Sequence, residues 1–154
     1  MLYLLFELGK DRYALEAGQV VEVLPLLEFK RIPRAIVGVA GLINYHGTPI
    51  PLLDLTELTL GRPSQARMST RIIVTNYLEE SGERHPIGLL AERVTETIRR
   101  AEADFKRSGV NVEGARFLGP VLVEADNIIQ RVELKHLLPE GLRAQLFAEL
   151  VGSG

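Results

Sequence analysis

The histidine side chains are candidates for metal ligands or for general bases in catalysis. The chain holds three of them, His46, His85 and His136. None has a second histidine at ligand spacing, and no HExxH motif occurs. Because cysteine is absent, there is also no thiolate ligand and no thiol nucleophile. Surface histidine is therefore the better interpretation, and neither a metal nor a cofactor is expected.

Motifs for nucleophilic catalysis and phosphate binding are missing as well. No serine lies in a G-x-S-x-G turn, so a hydrolase triad has no nucleophile. The run Gly38–Gly41 lacks the third glycine and the βαβ setting of a dinucleotide loop, and no G-K-[ST] motif occurs. Glu79, Glu80 and Glu83 share one charged turn, where nothing would desolvate a carboxylate for acid–base work. We therefore expect a protein that is not an enzyme.

The composition argues against further classes of function. The 154 residues are 46% hydrophobic and 25% charged, which is typical of a folded domain rather than a disordered chain. Eighteen basic and 20 acidic residues give a net charge of −2, which offers no general attraction to nucleic acid or to anionic lipid. No apolar stretch approaches the ~20 residues of a membrane span, and the N-terminus lacks a signal peptide's basic segment. A cytoplasmic protein without direct membrane contact is the default expectation.

Alternating apolar residues predict that short strands position whatever site the chain holds. The even-numbered residues from Leu2 to Leu8 would share one face of a first strand, which Gly9–Arg12 would turn into a hairpin. Further strands are predicted at 20–24, 37–44, 48–55, 71–78, 86–99, 117–123 and 127–132. Helical turns are predicted at 16–19, 56–60 and 134–138, and a terminal amphipathic helix is predicted from Leu142, Leu146, Phe147 and Leu150.

The strand 48–55 has two special features. Pro49 and Pro51 cannot donate backbone hydrogen bonds, so this strand should lie at an edge of its sheet or leave one side unpaired. Asp54 is expected to cap the helical turn that follows, because a carboxylate accepts the unpaired N–H groups of a helix start.

The two halves of the chain resemble each other. Adding one constant to the residue numbers of the first half aligns it with the second half, apolar residues with apolar ones and acidic with acidic. We call this constant the first shift; it aligns Leu15, Ala17, Val20 and Glu22 with Leu89, Ala91, Val94 and Glu96. Further along the chain a slightly larger constant, the second shift, gives the same kind of alignment. It aligns Ile50, Leu53, Asp54, Leu55 and Leu58 with Ile129, Val132, Glu133, Leu134 and Leu137. Two copies of one small β unit explain this order, and short strands with Gly/Pro turns suggest small barrels or a sandwich.

Three segments together resemble the CheW family of chemotaxis coupling proteins. Phe6–Leu24 is similar to the family's opening hairpin, short helix and V-x-E-[VI] strand. Gly38–Leu55 is similar to the signature G-V-x-N-L-R-G-x-x-[IV]-P-[VI]-x-D-L, and Pro86–Ile98 to G-[IL]-x-V-D-x-V-x-[ED]-V. The ending FLG…IIQRVELKHLL follows in the same order, so the resemblance covers essentially the whole chain.

The resemblance implies a mainly β fold of two five-stranded SH3-like barrels packed side by side, with short helices and a C-terminal helix. Residues 1–154 would form a single CheW-like domain. The first barrel would span about residues 14–68 and the second about 69–138. The strand 1–10 could pair with the second barrel, and residues 139–154 would form the C-terminal helix and tail.

The resemblance also implies a stand-alone, non-enzymatic adaptor. It would join the cytoplasmic tips of chemoreceptors to the regulatory domain of a CheA-type histidine kinase, in the cytoplasm at membrane receptor arrays. A helical receptor tip would lie in a groove between the barrels, and the kinase-facing surface would lie mainly on the first barrel. Motif positions assign receptor binding to Val20, Glu22, Asn44, His46, Gly47, Gly88 and Leu89.

One departure from the family signature concerns partner choice. The family's N-L-R-G is Asn44-Tyr45-His46-Gly47 in this chain. Arginine is always charged and pairs with carboxylates in a fork, whereas histidine is mostly neutral at pH 7 and makes one contact. The change predicts partners other than the standard swimming-chemotaxis pair, such as those of a surface-sensing, pilus or biofilm pathway. The alternative function is a small β-barrel protein that binds a ligand or a nucleic acid.

Overall fold

The fold is described from a computed structural model that covers residues 1–109, 115–138 and Arg143. Its strands are β1 Leu2–Leu8, β2 Asp11–Glu16, β3 Val20–Pro25, β4 Val39–Tyr45, β5 Thr48–Asp54, β6 Arg71–Leu78, β7 Arg84–Ala91, β8 Arg93–Arg99, β9 Leu118–Glu124 and β10 Asn127–Val132. Helical segments are α1 Leu55–Leu60 and the 3-10 turns Ala17–Gln19, Glu102–Asp104 and Leu134–His136. No helix within these ranges is long and apolar enough to cross a bilayer. The helix predicted for 139–154 lies outside the described residues, apart from Arg143.

The strands form two five-stranded sheets. The first sheet has the order β3-β6-β7-β5-β4, and the second has the order β8-β1-β2-β10-β9. Each contains one parallel pair, β5 with β7 in the first sheet and β2 with β10 in the second, and its other pairs are antiparallel. The predicted mainly β fold with two five-stranded units is confirmed.

Each sheet takes strands from both halves of the chain. β1 and β2 open the sequence but pair with β8 and β10, whereas β6 and β7 pair with β3 and β5. The repeats therefore run β1–β5 and β6–β10, and they exchange their first two strands. The predicted barrel ranges 14–68 and 69–138 do not match the sheets, which take residues 20–91 and residues 2–16 with 93–132. Strand periodicity identifies faces and not neighbours, so it could not reveal this exchange.

The parallel pairs demonstrate that the sequence repeat is also a structural repeat. Leu52 of β5 lies opposite Gly88 of β7, and Arg131 of β10 lies opposite Ala14 of β2. The second shift carries Leu52 onto Arg131, and the first shift carries Ala14 onto Gly88. The two shifts found in the sequence thus superimpose one strand pair on the other.

The apolar side chains of the described residues form three cores, one of which lies between the two sheets. The shared core takes side chains from both sheets, among them Leu4, Phe6, Leu15, Leu53, Ile73, Tyr77, Leu89 and Val132. The first sheet encloses a core that includes Ile43, Ile50, Leu52, Ile72, Val74 and Leu90. The second encloses Tyr3, Leu5, Ala14, Phe105, Leu122 and Ile129. Both faces of β1 are therefore buried, which explains its nearly continuous apolar run, and each fully buried large side chain contributes about 1.5–3 kcal/mol.

β5 lies inside the first sheet although it contains Pro49 and Pro51. β4 pairs with it from Thr48 to Leu53, whereas β7 pairs with it only from Leu52 onward. The prolines thus occupy the stretch where the β7 side is unpaired, which is the second of the two arrangements that the sequence predicted. Asp54 then ends the strand and caps α1 as expected, because its Oδ1 accepts from the backbone N–H groups of Thr56 and Glu57 at 3.0 and 3.3 Å.

Candidate functional site

The turn between β4 and β5 presents the residues at which the chain departs from its family signature. His46 and Gly47 have φ angles of 50° and 88°, which fits a two-residue hairpin turn with positive φ at both central positions. The Oδ1 of Asn44 accepts a hydrogen bond from the backbone N–H of Gly47 at 2.8 Å. Asn44 and Gly47 therefore shape the turn, and the side chain of His46, which is 75% exposed, extends from it.

Glu22 connects this turn to the opposite edge of the first sheet. β3 and β4 are the two edge strands of that sheet. The hydroxyl of Tyr45 donates to Oε2 of Glu22 at 2.7 Å, and Nε2 of His46 lies 3.6 Å from the same oxygen. The hydrogen bond to Glu22 raises the pKa of Tyr45. We call these three residues the Glu22 cluster; it brings the two edges of the sheet together.

The predicted receptor-binding residues divide into two groups. Glu22, Asn44, His46 and Gly47 meet at this corner of the first sheet. Val20, at the start of β3, is partly buried and packs against the shared core. These five positions are therefore on or directly beneath one continuous surface.

Gly88 and Leu89 do not lie on that surface, and both are buried, so the structure lends no support to them as contact residues. Leu89 is fully buried in the shared core. A Cβ added at Gly88 would lie 3.1 Å from side-chain atoms of Ile72 and Leu52. Both residues belong to β7, the middle strand of the first sheet, where both faces are covered. The continuous apolar run Ile87–Ala91 was the sequence signal for such a strand.

The sequence reasoning missed three residues at this corner. Tyr45 was treated only as part of a turn, because its partner is 23 residues away in the chain. Val21 and Val23 of β3 are 49% and 38% exposed. Alternation placed them opposite Val20, but it could not tell which face of the strand points outward. The edge strand β3 thus exposes two apolar side chains on the face opposite Glu22.

A cavity of about 370 Å³ lies in the same half of the molecule. The segment 26–35 forms one wall, the connector 63–66 forms another, and Val39 and Leu90 line it between them. Arg31 and Arg34 contribute to its lining. The cavity belongs to the first-sheet half, whereas the expected groove was placed between the barrels.

An ion pair joins the two halves behind these surfaces. Glu92, in the link between β7 and β8, accepts from both terminal nitrogens of Arg62 at 3.0 Å. It also accepts from the backbone N–H groups of Gly9 at 2.7 Å and Gln65 at 2.9 Å. These donors, with the Arg62 side chain first among them, lower the pKa of Glu92 to about 2. Because Gly9 belongs to the second sheet's first hairpin, the role of this carboxylate is to hold the halves together.

Two paired five-stranded sheets with exchanged strands define a small, mainly β domain. A CheW-like domain matches residues 2–141, and the chain therefore belongs to the CheW-like domain family. The chemotaxis protein CheW of Helicobacter pylori (strain ATCC 700392 / 26695) is 26% identical over 100 residues. That match covers 64% of this chain and 57% of the relative, or a little over half of its length.

A solved structure supports the same relationship. The crystal structure of scaffolding protein TtCheW from Thermoanaerobacter tengcongensis superimposes with a TM-score of 0.78 at 25% sequence identity. The match covers 90% of this chain and 87% of that one. The family resemblance found in the sequence motifs is thereby confirmed.

Proposed function

We propose that this chain is a non-enzymatic adaptor that joins the helical cytoplasmic tips of chemoreceptors to the regulatory domain of a CheA-type histidine kinase. Membership of the CheW-like domain family supports this role. So do the names of the two similar proteins, a chemotaxis protein and a scaffolding protein. The adaptor would work in the cytoplasm at membrane receptor arrays, without contacting lipid itself.

The observation that carries the proposal is the chemistry of the edge strand β3. Alternation exposes Val21 and Val23 on one face of this strand, while Glu22 on the other face meets His46. A receptor helix that packs against this edge can place its apolar stripe on the two valines, while the polar groups select the partner and its register. The kinase domain would contact another part of the first sheet.

The structure refines the residues proposed for receptor binding. Val21, Val23, Glu22 and His46 would contact the helix, since their side chains reach the surface. Asn44 and Gly47 would hold His46 in place through the turn hydrogen bond. Val20 would support β3 from below.

His46 supports the proposal of a partner outside the standard swimming-chemotaxis pair. An arginine at this position would bring a permanent positive charge close to Glu22 and neutralise it. A histidine carries no permanent charge, so the Glu22 carboxylate stays available to a basic residue of a partner. A receptor tip with a basic side chain beside its apolar stripe would suit this arrangement, as in a surface-sensing, pilus or biofilm pathway.

The test is a binding titration with two separate partners, a receptor hairpin tip and a CheA-type regulatory domain. We expect the chain to bind both, and Val21→Asp to weaken receptor binding at least about tenfold through the loss of apolar contact. Val123→Asp is the matched control, because Val123 is also an exposed strand valine but lies on the second sheet. Binding to neither partner would refute the adaptor role.

The pathway is tested by His46→Arg in the same titration. This variant should bind a standard swimming-chemotaxis receptor tip more tightly than the unmodified chain does. The backbone strain should be the same in this variant as in the unmodified chain, because histidine and arginine both carry a Cβ at the same positive φ. Equal affinities would leave the adaptor role intact and remove the argument for a different pathway.

A further inference from the structure

The turn between β6 and β7 gathers three metal-ligating side chains away from the Glu22 cluster. Glu79 follows β6, Glu83 precedes β7, and His85 is the second residue of β7. The backbone N–H of Glu79 donates to the carbonyl of Glu83 at 2.9 Å, so the two glutamates lie opposite each other. His85 follows Glu83 by two residues and therefore shares its face. One ligand atom from each side chain lies within 4.8 Å of the other two.

The distances from His85 to the two glutamates are close to those between the ligands of a tetrahedrally coordinated metal ion. Nε2 of His85 lies 3.4 Å from Oε1 of Glu79 and 3.5 Å from Oε2 of Glu83. A zinc ion with bonds of about 2.0–2.1 Å holds neighbouring ligand atoms about 3.3 Å apart. One imidazole and two carboxylates are also ligands that Zn²⁺ accepts, and three protein ligands leave the fourth position to water. Both separations from His85 are therefore close to those between zinc ligands, and the two carboxylate oxygens lie within 4.8 Å of each other.

Burial and charge favour a cation at this point. The side chains of Glu79 and His85 are only 21% and 20% exposed, whereas Glu83 is 70% exposed. Two carboxylates directly opposite each other in a hairpin repel, and the partly buried one is less screened by water. Arg84 alternates to the other face of β7, so it does not lie between them. A divalent cation would replace this repulsion by attraction.

We propose that Glu79, Glu83 and His85 form a binding site for a divalent transition-metal cation, with Zn²⁺ as the metal that fits best. The site would tie together the turn between the two strands at the centre of the first sheet. The proposal does not depend on the adaptor role, since the turn lies apart from the Glu22 cluster and its test requires no partner.

The test is a calorimetric titration of the purified chain, without an affinity tag, with zinc chloride. We expect one zinc per chain and a higher melting temperature in the presence of zinc, because a ligand that binds the folded state stabilises it. Calcium and magnesium should bind at least about tenfold more weakly, since they prefer sites built only of oxygen ligands. Glu79→Gln, Glu83→Gln and His85→Gln should each weaken zinc binding at least about tenfold.

Two control variants separate this site from general binding to charged residues. Glu80→Gln makes the same charge change in the same turn, and Glu80 is exposed and outside the set. His136→Gln removes a histidine that has a single glutamate oxygen, of Glu133, at 3.8 Å. Both should keep the zinc affinity of the unmodified chain.

The outcome for Glu83→Gln decides the proposal even if His85→Gln fails to fold. Glu83 is the most exposed of the three ligands, so its substitution leaves the packing in place. Absence of zinc binding by the unmodified chain would overturn the proposal. An unchanged affinity in Glu83→Gln, or a loss in His136→Gln or Glu80→Gln, would overturn it as well.

Discussion

The β4–β5 turn of the first sheet and the β9–β10 turn of the second occupy equivalent places in the repeat but differ in backbone and in chemistry. The second shift, which relates β5 to β10, also carries His46 onto Ala125. These two non-glycine residues have φ angles of 50° and 49°. Left-handed backbone is costly for a residue with a Cβ, so its occurrence at both equivalent positions is a shared feature of the two turns. The next position differs, because Gly47 has a positive φ and Asp126 does not.

The residue before each of these positions reaches across to the other edge of its sheet. In the first sheet, Tyr45 donates a neutral hydroxyl to Glu22 of β3. In the second, Glu124 of β9 forms an ion pair with Arg100, which directly follows β8. Both contacts bring together edge strands that share no backbone hydrogen bonds. The repeat thus determines where the two edge strands of each sheet come into contact, whereas the side chains that make the contact differ.

The surfaces around the two turns differ accordingly. The first presents the imidazole of His46 beside the Glu22 carboxylate. The second presents an apolar pair, Val123 and Ile128, which lie opposite each other and are 65% and 62% exposed. A duplicated scaffold can therefore offer two chemically distinct surfaces from one backbone plan.

The largest predicted difference between the repeats concerns the acidic residue that ends β5 or β10. Asp54 is 3% exposed. Its carboxylate accepts hydrogen bonds from two backbone N–H groups at the start of α1, and from the backbone N–H and the hydroxyl of Ser64. Glu133 is its counterpart, but it is 23% exposed and contacts the side chains of Arg131 and His136. Asp54→Ala should lower the free energy of unfolding by about 3 kcal/mol, because it removes a helix cap and leaves buried donors unpaired.

Glu133→Ala is the matched variant, and it should cost about 1 kcal/mol, since the side chain of Glu133 caps no helix and Arg131 keeps Glu102 as a second partner at 3.9 Å. Urea unfolding of the two variants measures the difference directly. Equal losses would contradict the view that only the first sheet depends on its carboxylate cap.

A second difference is the Glu92 ion pair, which only one repeat possesses. The first shift relates Glu92 to Gly18, which has no side chain to offer. The pKa of Glu92 is lowered from 4.5 to about 2, so its contribution is complete above pH 4.5 and disappears as the pH falls towards 2. We expect Glu92→Gln to cost about 2 kcal/mol at pH 7, a value reduced for solvent around the exposed face of Arg62.

The measurement for Glu92 is urea unfolding of the unmodified chain and the variant at several pH values between 2 and 7. The two stabilities should converge as the pH falls from 4.5 to 2. A constant gap over that range would show that Glu92 acts through packing rather than through its charge. Glu80→Gln, an exposed change of the same charge, should leave the pH profile unchanged.

The sequence predicted the fold better than it predicted the site. The two constant shifts identified the repeat, because equivalent strands bury equivalent side chains such as Leu15 and Leu89. The pairing of strand 1–10 with the second half of the chain was offered only by the family resemblance, since pairing between distant strands leaves no local pattern. Motif positions placed Leu89 at a surface although it is buried, whereas Glu22 and His46 do meet. A family motif contains core residues as well as contact residues, so a match to the motif does not by itself identify a surface position.

The shared positive φ allows a smaller test of the equivalence between the turns. Ala125→Gly and His46→Gly both relieve the left-handed strain, and both add freedom to the unfolded chain. Each variant should gain about 0.5 kcal/mol in free energy of unfolding, measured in urea. Only His46→Gly should also weaken binding of a cognate receptor tip. A loss of receptor binding in Ala125→Gly would assign the receptor surface to the second sheet instead.

The smallest expected effects come from the two contacts that join the sheet edges, and salt should distinguish them. Glu124→Gln removes an ion pair whose side chains, 38% and 34% exposed, are well screened by water. Tyr45→Phe removes a neutral donor to Glu22 and leaves the ring in place. The destabilisation by Glu124→Gln should shrink as sodium chloride is raised to about 1 M, where charges are screened within about 3 Å. The effect of Tyr45→Phe should change much less, because only one partner of that hydrogen bond is charged. If both effects respond equally to salt in thermal unfolding, the two edges are closed by the same kind of interaction, and the chemical difference between the turns is confined to their exposed surfaces.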